Sequence, residues 1–172
     1  NTHGLIKQAD GGTLFLDEIG ELSPWVQRMF LRVLQERSFR PLGGKTMLES
    51  DFRLIAATNR NLSQMVKKKE FRRDLYYRIR SYWIDLPPLR ERKEDIKQLA
   101  KSFVSQICEE FGLSDKALSN EFLHALQQYD WPGNVRELLN SMYAVVNKAS
   151  AQTTLLPQHL PVDIRAEATK RS

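Results

Sequence analysis

A short apolar segment that runs directly into two carboxylates constrains this chain more than any other feature. Residues 11–18 read GGTLFLDE, so that three apolar residues follow a Gly-Gly-Thr start. Such a run is typical of a buried central strand. Asp17 and Glu18 would then lie at the carboxyl end of that strand, where open α/β sheets bind ligands. There, a metal ion or hydrogen bonds can offset the desolvation of a carboxylate, so the pattern predicts a ligand site on an α/β sheet.

The acidic pair has two interpretations. In phosphate chemistry, Asp17 would hold the water shell of Mg²⁺, and Glu18 would orient and polarise the water that attacks a γ-phosphate. A solvated acidic turn is the more ordinary interpretation of an isolated Asp-Glu pair. The segments that follow decide between the two.

Composition predicts one domain, or one domain with a small satellite, in a reducing compartment. The chain has 172 residues, is 41% hydrophobic and contains one cysteine, Cys108, so it cannot form an internal disulfide. It has no membrane-length apolar run and no signal pattern, and we expect a cytoplasmic protein that does not contact membranes. The absence of an initiator Met suggests a piece of a longer protein.

The net charge of +5 is concentrated in one stretch. Between Lys67 and Arg80 there are seven basic and two acidic residues, an excess of five. This cluster is consistent with a nucleic-acid surface, a site for an anionic phosphate or a solvated helix face, and the last is the most ordinary interpretation of its three consecutive lysines.

The first half of the chain continues as an α/β unit. Ser23-Pro24 predicts the start of a helix, and residues 52–57 predict a second buried strand that ends at Asn59. The Asn59 amide can hydrogen-bond a phosphate or its attacking water, or serve as a turn residue. Residues 71–78 predict a helix that carries Arg72 and Arg78 on different sides. Residues 82–86 predict a third strand, closed by a proline pair.

A glycine-rich segment between these elements imitates a phosphate-binding loop. Gly44-Lys45-Thr46 matches the end of that motif, but Phe39 stands where the motif needs its first glycine. We therefore predict a hairpin-like loop that turns at Gly43-Gly44, and no phosphate-binding loop in this chain.

The second half predicts three helices. The first ends at Gly112, the second is capped by Ser119 or Asn120, and the third begins at Asn134, which we expect to form a capping-box-like pair with Glu137. Arg136 lies in the first turn of the third helix, where the helix dipole disfavours a cation, so we expect an anionic ligand nearby.

Together, these motifs resemble the AAA+ ATPase domain of bacterial sigma-54-dependent transcription activators, over about residues 4–150. Residues 11–18 resemble the family's Walker B motif, 56–59 its sensor I and 71–78 its arginine-finger segment. Residues 86–96 and 131–138 are similar to the lid entry and to sensor II.

The resemblance implies an α/β fold: the C-terminal part of an AAA+ αβα sandwich with a parallel sheet core over residues 1–88, an all-helical lid over 89–152 and a linker over 153–172. It implies ATP and Mg²⁺ as cofactors, with Asp17 holding the metal through water. It also implies catalytic roles for Asp17, Glu18, Asn59, Arg72 and Arg78. A further residue, Arg136, would bind the nucleotide between core and lid.

The resemblance also implies partners. Arg72 and Arg78 would act on a neighbouring subunit's site in a ring, usually a hexamer. The ring would remodel the closed complex of sigma-54 RNA polymerase, and a helix-turn-helix domain outside this chain would bind DNA. The family's phosphate-binding loop and its GAFTGA-type loop would lie upstream. We therefore expect the isolated chain neither to hydrolyse ATP nor to bind it tightly.

Two alternatives remain open. A relative that keeps the fold and oligomerises, but does not engage sigma-54, would act as a ligand-responsive DNA-bound regulator; the upstream loop would distinguish it. Plain nucleic-acid binding through residues 67–80 would instead give steeply salt-dependent binding. The sequence also departs from many relatives at Lys69, where they have glycine, and at Arg73, where they have glutamate.

Overall fold

The computed structural model describes residues 4–41, 44 and 46–170, and these form two compact units that divide between Ile84 and Asp85. The division falls close to the proline pair at residues 87–88. No helix within the described residues has the length and apolar character needed to cross a membrane.

The first unit combines short helices with two small sheets. Its elements are α1 (Leu5–Gln8), β1 (Thr13–Leu16), a 3₁₀ turn (Ile19–Glu21), α2 (Pro24–Glu36), β2 (Ser38–Phe39), β3 (Leu48–Glu49), β4 (Arg53–Ala56), α3 (Leu62–Lys67) and α4 (Arg73–Ile79).

Strands β1 and β4 are parallel, as the α/β prediction requires, with Leu14 paired to Leu54 and Leu16 paired to Ala56. The prediction that both strands are buried is wrong. Successive side chains alternate between the two faces of a strand, and only the face with Leu14 packs on the helices, while Phe15 is 59% exposed and Ile55 44% exposed. Among the described residues, these strands form a two-stranded sheet that has core packing on one face.

The helix after β1 begins as predicted. Ser23 is the N-cap of α2 and accepts a hydrogen bond from the Val26 N–H, and Pro24 occupies the first turn. Phe30 and Leu31 of α2 then pack into the core of the first unit beside Leu75 of α4. The α2 helix therefore contributes to the core that also contains Leu14 of β1.

Strands β2 and β3 pair antiparallel, which confirms the hairpin-like arrangement of this segment. The predicted turn lies only partly within the described residues. Gly44 donates its N–H to the Pro41 carbonyl at 2.9 Å, whereas Gly43 lies outside the described residues.

The predicted third strand is not formed, because residues 82–86 have no neighbouring strand among the described residues with which to share backbone hydrogen bonds. Tyr82, Ile84 and Leu86 are each more than 80% exposed. The strand propensity of this segment is therefore not sufficient by itself to form a strand.

The second unit is a helical cluster with one small parallel sheet. It contains a 3₁₀ turn (Leu89–Glu91), α5 (Lys93–Glu110), β5 (Ala117–Leu118), α6 (Asn120–Gln128), α7 (Asn134–Lys148), β6 (Thr154–Leu155), another 3₁₀ turn (Pro157–His159) and α8 (Val162–Lys170). Ser119 caps α6, and Cys108 is buried within the core.

The end of α5 confirms the role predicted for Gly112. This glycine has φ +63°, and the Leu113 N–H donates to the Cys108 carbonyl at 2.8 Å while the Gly112 N–H donates to Glu109. These two bonds form a Schellman motif, which needs a left-handed residue after the helix, and glycine adopts that conformation without strain.

The expected linker after Thr153 is instead folded. Strand β6 pairs with β5, and Leu155, Leu160 and Ile164 are buried in the core that α5, α6 and α7 form. The proline and polar residues that suggest a linker lie between these apolar anchors. The segment therefore belongs to the helical unit up to Lys170.

The start of α7 differs from the prediction in detail. Gly133, rather than Asn134, is the N-cap. Glu137 forms the expected hydrogen bond to the N-cap residue: its Oε2 accepts the Gly133 N–H at 2.7 Å. The Asn134 side chain points elsewhere, because its oxygen accepts the Leu89 N–H at 2.8 Å and holds the entry of this unit against α7.

Candidate functional site

Parallel pairing brings the ends of β1 and β4 to one edge of the sheet. Beyond the last paired residues, the Ala57 N–H donates to the Leu16 carbonyl at 2.8 Å, and the Ile19 N–H donates to the Ala57 carbonyl at 2.9 Å. These two bonds continue the ladder past the strands. They place the segment with Asp17 and Glu18 beside the segment with Asn59.

Glu18 is held at this edge in an unusual conformation. Its φ of 51° and ψ of 49° are left-handed, which costs a residue other than glycine about 1 kcal/mol or more. Its N–H donates to Asp17 Oδ1 at 3.0 Å, and its Oε2 accepts the Asn59 N–H at 3.2 Å. One carboxylate oxygen is therefore fixed by the neighbouring strand end, and the other is available to a water molecule.

Asn59 contacts Glu18 through its backbone rather than through the side-chain amide. The Asn59 side chain is exposed at the sheet edge. The structure thus brings the two predicted residues together by a bond that the sequence does not predict, and leaves the amide accessible to a ligand.

Asp17 has the chemistry needed to hold a metal through water. It is exposed, and within the described part of the chain its one hydrogen bond is from the Glu18 N–H to Oδ1. Mg²⁺ usually keeps several of its waters and takes one or two carboxylates, so a single exposed carboxylate fits an outer-shell role. The described part of the chain contains no group of three or more His, Cys, Asp or Glu that could enclose a metal ion.

The turn behind the acidic pair depends on Gly20. A Cβ at Gly20 would lie 2.9 Å from Thr58 Oγ1, closer than such contacts normally allow. Arg60 Nη1 donates a hydrogen bond to the Gly20 carbonyl at 3.3 Å, and Arg60 Nε forms an ion pair with Glu21 Oε1 at 3.0 Å. Sequence reasoning missed this contact, since a lone glycine in a turn gives no sign of what lies against it.

Arg72 lies at the N-terminus of α4 and is paired within its own chain. Its Nε donates to Asp74 Oδ1 at 3.0 Å, and its Nη2 donates to Asp74 Oδ2. The hydrogen bond from Arg72 lowers the pKa of the Asp74 carboxyl, and the same bond raises the pKa of Arg72. A guanidinium has five N–H donors, so this pairing orients the group and leaves the others for a ligand.

Arg78 lies near the other end of α4. It is exposed, and its Nη2 donates to the Leu34 carbonyl at 2.9 Å. The two arginines therefore contact different parts of the first unit, in agreement with their predicted separation. Among the described residues, no hydrogen bond or ion pair joins either of them to Asp17 or Glu18.

In the second unit, Arg136 occupies the predicted position in the first turn of α7. It is exposed and makes no hydrogen bond or ion pair with other described residues. The helix dipole disfavours a cation here, and the described residues do not offset this with a hydrogen bond or ion pair. Its environment remains open to an anionic ligand.

Comparison with known proteins identifies the family. Residues 1–85 match the family described as the sigma-54 interaction domain, and residues 90–172 match the AAA+ ATPase lid domain. Residues 1–85 belong to the sigma-54 interaction domain family, and residues 90–172 belong to the AAA+ ATPase lid domain family. The chain carries the C-terminal part of that AAA+ domain together with the lid, as the motifs predict.

Individual relatives agree with the assignment to the sigma-54 interaction domain family. The chain is 53% identical to the nitrogen fixation protein AnfA of Azotobacter vinelandii, with 83% of this chain and 27% of AnfA aligned. It is 48% identical to VnfA of the same organism, with 95% of this chain and 31% of VnfA aligned. The chain therefore spans about a third or less of these relatives.

Solved structures confirm the α/β fold with a helical lid. The crystal structure of NtrX from Brucella abortus in complex with ATP superposes with a TM-score of 0.88 at 32% identity, covering 94% of this chain and 37% of that one. The ATP in that crystal structure is bound to NtrX.

Proposed function

We propose that this chain is part of the ATP-hydrolysing module of a sigma-54-dependent transcription activator. The observation that carries the proposal is the sheet edge, where the Asn59 N–H holds one oxygen of Glu18 and Asp17 stands exposed beside it. Family membership and the nucleotide-bound NtrX structure support the same function.

Each residue has a distinct part in this proposal. Asp17 would hold Mg²⁺ through the metal's water shell, and the metal would neutralise charge on the phosphates of ATP. Glu18 orients and polarises the attacking water by accepting a hydrogen bond from it through one carboxylate oxygen. The other oxygen, held by the Asn59 N–H, keeps the carboxylate in position. The Asn59 amide orients the same water or a phosphate oxygen, and Arg136 binds the nucleotide phosphates.

Arg72 and Arg78 act on the site of a neighbouring subunit. An arginine supplied in trans is worth about 10³ to 10⁵ in rate, or roughly 4 to 7 kcal/mol at the transition state. Turnover then requires a homo-oligomeric ring, a hexamer in our proposal. The ring remodels the closed complex of sigma-54 RNA polymerase, and a helix-turn-helix domain outside this chain binds DNA. This chain by itself, with no phosphate-binding loop, binds ATP weakly and does not hydrolyse it.

Substitutions in the full-length protein test these roles. Glu18→Gln keeps the size of the side chain and removes its charge, so we expect ATP binding to persist and turnover to be lost. Retained turnover would contradict the role of Glu18. Arg72→Ala and Arg78→Ala should each abolish turnover without unfolding the domain.

Mixing distinguishes action in trans from action within one subunit. Glu18→Gln subunits carry intact arginines, and Arg72→Ala subunits carry an intact acidic pair. A mixture of the two inactive proteins should regain ATPase activity at interfaces where the intact acidic pair of one subunit meets the intact Arg72 of its neighbour. A mixture that stays inactive while it assembles normally would show that Arg72 does not act across an interface.

A further inference from the structure

Gln27 is a buried polar side chain on the core-facing side of α2. Its residue is 1% exposed, and each of its amide groups is used. Its Nε2 donates to the Leu22 carbonyl at 2.8 Å and to the Glu70 carbonyl at 3.1 Å, while its Oε1 accepts the Arg72 N–H at 2.8 Å. The amide therefore joins the start of α2 to a segment more than 40 residues away.

The two hydrogen bonds to this distant segment lie on either side of a single residue. Glu70 and Arg72 flank Phe71, which is itself 2% exposed and packs in the core of the first unit. Gln27 thus holds the backbone on both sides of a buried anchor. This backbone is where α4 begins, and Arg72 is its N-cap in an extended conformation.

Two separate sets of hydrogen bonds therefore fix the position of Arg72. Gln27 fixes the position of its backbone, and Asp74 fixes the direction of its guanidinium through two hydrogen bonds. The Gln27 amide thus bonds the backbone of Arg72, while the guanidinium bonds Asp74. The Arg72 side chain also borders an open cleft of about 700 Å³, so it is accessible to a group outside this chain.

We infer that Gln27 is a positioning residue for Arg72: it fixes the finger backbone so that the guanidinium is presented at the neighbouring subunit's phosphates. This inference rests on the proposed function, in which Arg72 acts in trans. A displacement of about 1 Å at a catalytic group can cost about 100-fold in rate. Loss of the Gln27 amide should therefore reduce turnover although Gln27 contacts no nucleotide.

The test uses Gln27→Met in the full-length protein, because Met keeps the length of the side chain and removes all three hydrogen bonds. Gln35→Met is the matched control, since Gln35 lies on the same helix and is exposed. We expect Gln27→Met to lower kcat for ATP by about 100-fold with unchanged nucleotide affinity and unchanged assembly, and the control to resemble wild type. Hydrogen exchange at the Arg72 amide should become faster in Gln27→Met alone.

A purely structural role would give a different pattern. Nucleotide affinity and assembly would then fall together with turnover. Mixing Gln27→Met subunits with Glu18→Gln subunits would not restore ATPase activity. Under our inference, Gln27→Met subunits keep a sound acidic pair, so mixing them with Glu18→Gln subunits should restore ATPase activity. Failure of that mixture to recover, or turnover of Gln27→Met close to wild type, would overturn the inference.

Arg72→Ala separates the two levels of the proposal. If Arg72→Ala retains turnover, the proposed function of Arg72 is wrong. If Arg72→Ala is inactive and Gln27→Met is not, only the role of Gln27 is wrong. Should Gln27→Met fail to fold, Gln27→Asn replaces it with the same expected outcomes, because its shorter amide stays polar and cannot span the same bonds.

Discussion

At the scale of single residues, the backbone of Lys69 shows why this position favours glycine. Lys69 has φ +62°, a left-handed conformation that costs residues with a Cβ about 1 to 2 kcal/mol. The residue lies two positions before the arginine-finger segment of residues 71–78. The sequence departure at Lys69 therefore has a physical meaning that the sequence alone does not supply.

We expect Lys69→Gly to be more stable than Lys69→Ala by about 0.5 to 1 kcal/mol, because glycine relieves the left-handed strain and loses only part of that gain to its freer unfolded state. Both variants lose the same ammonium group, so the comparison isolates the backbone. Chemical denaturation of the two proteins measures the difference. Equal stabilities would show that no strain resides at this residue.

The pair formed by Arg72 and Asp74 should respond to acid. The pKa of Asp74 is lowered in the folded protein by its hydrogen bonds from Arg72. Stability from this pair is therefore fully present above the unfolded pKa of about 4, and it is lost as the pH falls through the lower folded value. The effect is small because the two side chains are 39% and 44% exposed, so that solvent screens the pair.

Asp74→Asn provides the comparison. The difference in unfolding free energy between wild type and Asp74→Asn should be constant near neutral pH and shrink as the solution is acidified below about pH 4. Urea titrations at a series of pH values measure it. A difference that stays the same in acid would mean that the ion pair does not contribute.

At the scale of elements, the joint between residues 89–91 and α7 depends on one side-chain oxygen. Asn134 has φ +52° and accepts the Leu89 N–H at 2.8 Å, and Leu89 is fully buried. Asparagine tolerates the left-handed conformation better than most residues and supplies the acceptor as well. Pattern reasoning places Asn134 at the start of α7 and assigns its oxygen to the wrong partner.

Asn134→Ala should lower the free energy of unfolding by about 1 to 3 kcal/mol, because it leaves the Leu89 N–H without its partner and keeps a left-handed residue with a Cβ. Asn134→Asp is the control, since it retains both the oxygen and the tolerance of positive φ. Thermal denaturation monitored by circular dichroism should rank the Asp variant close to wild type. An Ala variant as stable as the Asp variant would contradict the role of this bond.

At the scale of the whole molecule, the residues after 153 belong to the second unit. Leu160 is 1% exposed and packs in the helical core, whereas Val162, two residues later, is 67% exposed. Substitution of each side chain therefore tests whether this segment is folded, because only a folded segment makes the buried Leu160 matter for stability.

Leu160→Ala should destabilise the protein by about 2 to 5 kcal/mol, the usual cost of a cavity in a packed core. Val162→Ala should change stability by less than about 0.5 kcal/mol, since it lies at the surface. Differential scanning calorimetry of the two variants measures both. Equal and small effects would restore the linker interpretation.

The sequence by itself determined the elements whose signals are local. The apolar run before Asp17 and Glu18 and the Ser23-Pro24 helix start each depend on a few neighbouring residues, and so does the glycine stop at Gly112. Dipeptide chemistry and short-range periodicity report such features directly. The predicted residues Arg72, Arg78 and Arg136 also lie on helices or at their ends as expected.

Only the tertiary structure decided what these elements contact. Residues 82–86 have strand propensity, but a strand exists only where another backbone pairs with it. The Gln27 amide and the Asn59 N–H find partners more than 40 residues away. The residues after Thr153 are folded because apolar side chains reach a core built elsewhere. Hydrogen bonds and burial across such distances leave no local pattern, since they depend on which surfaces the completed fold brings together.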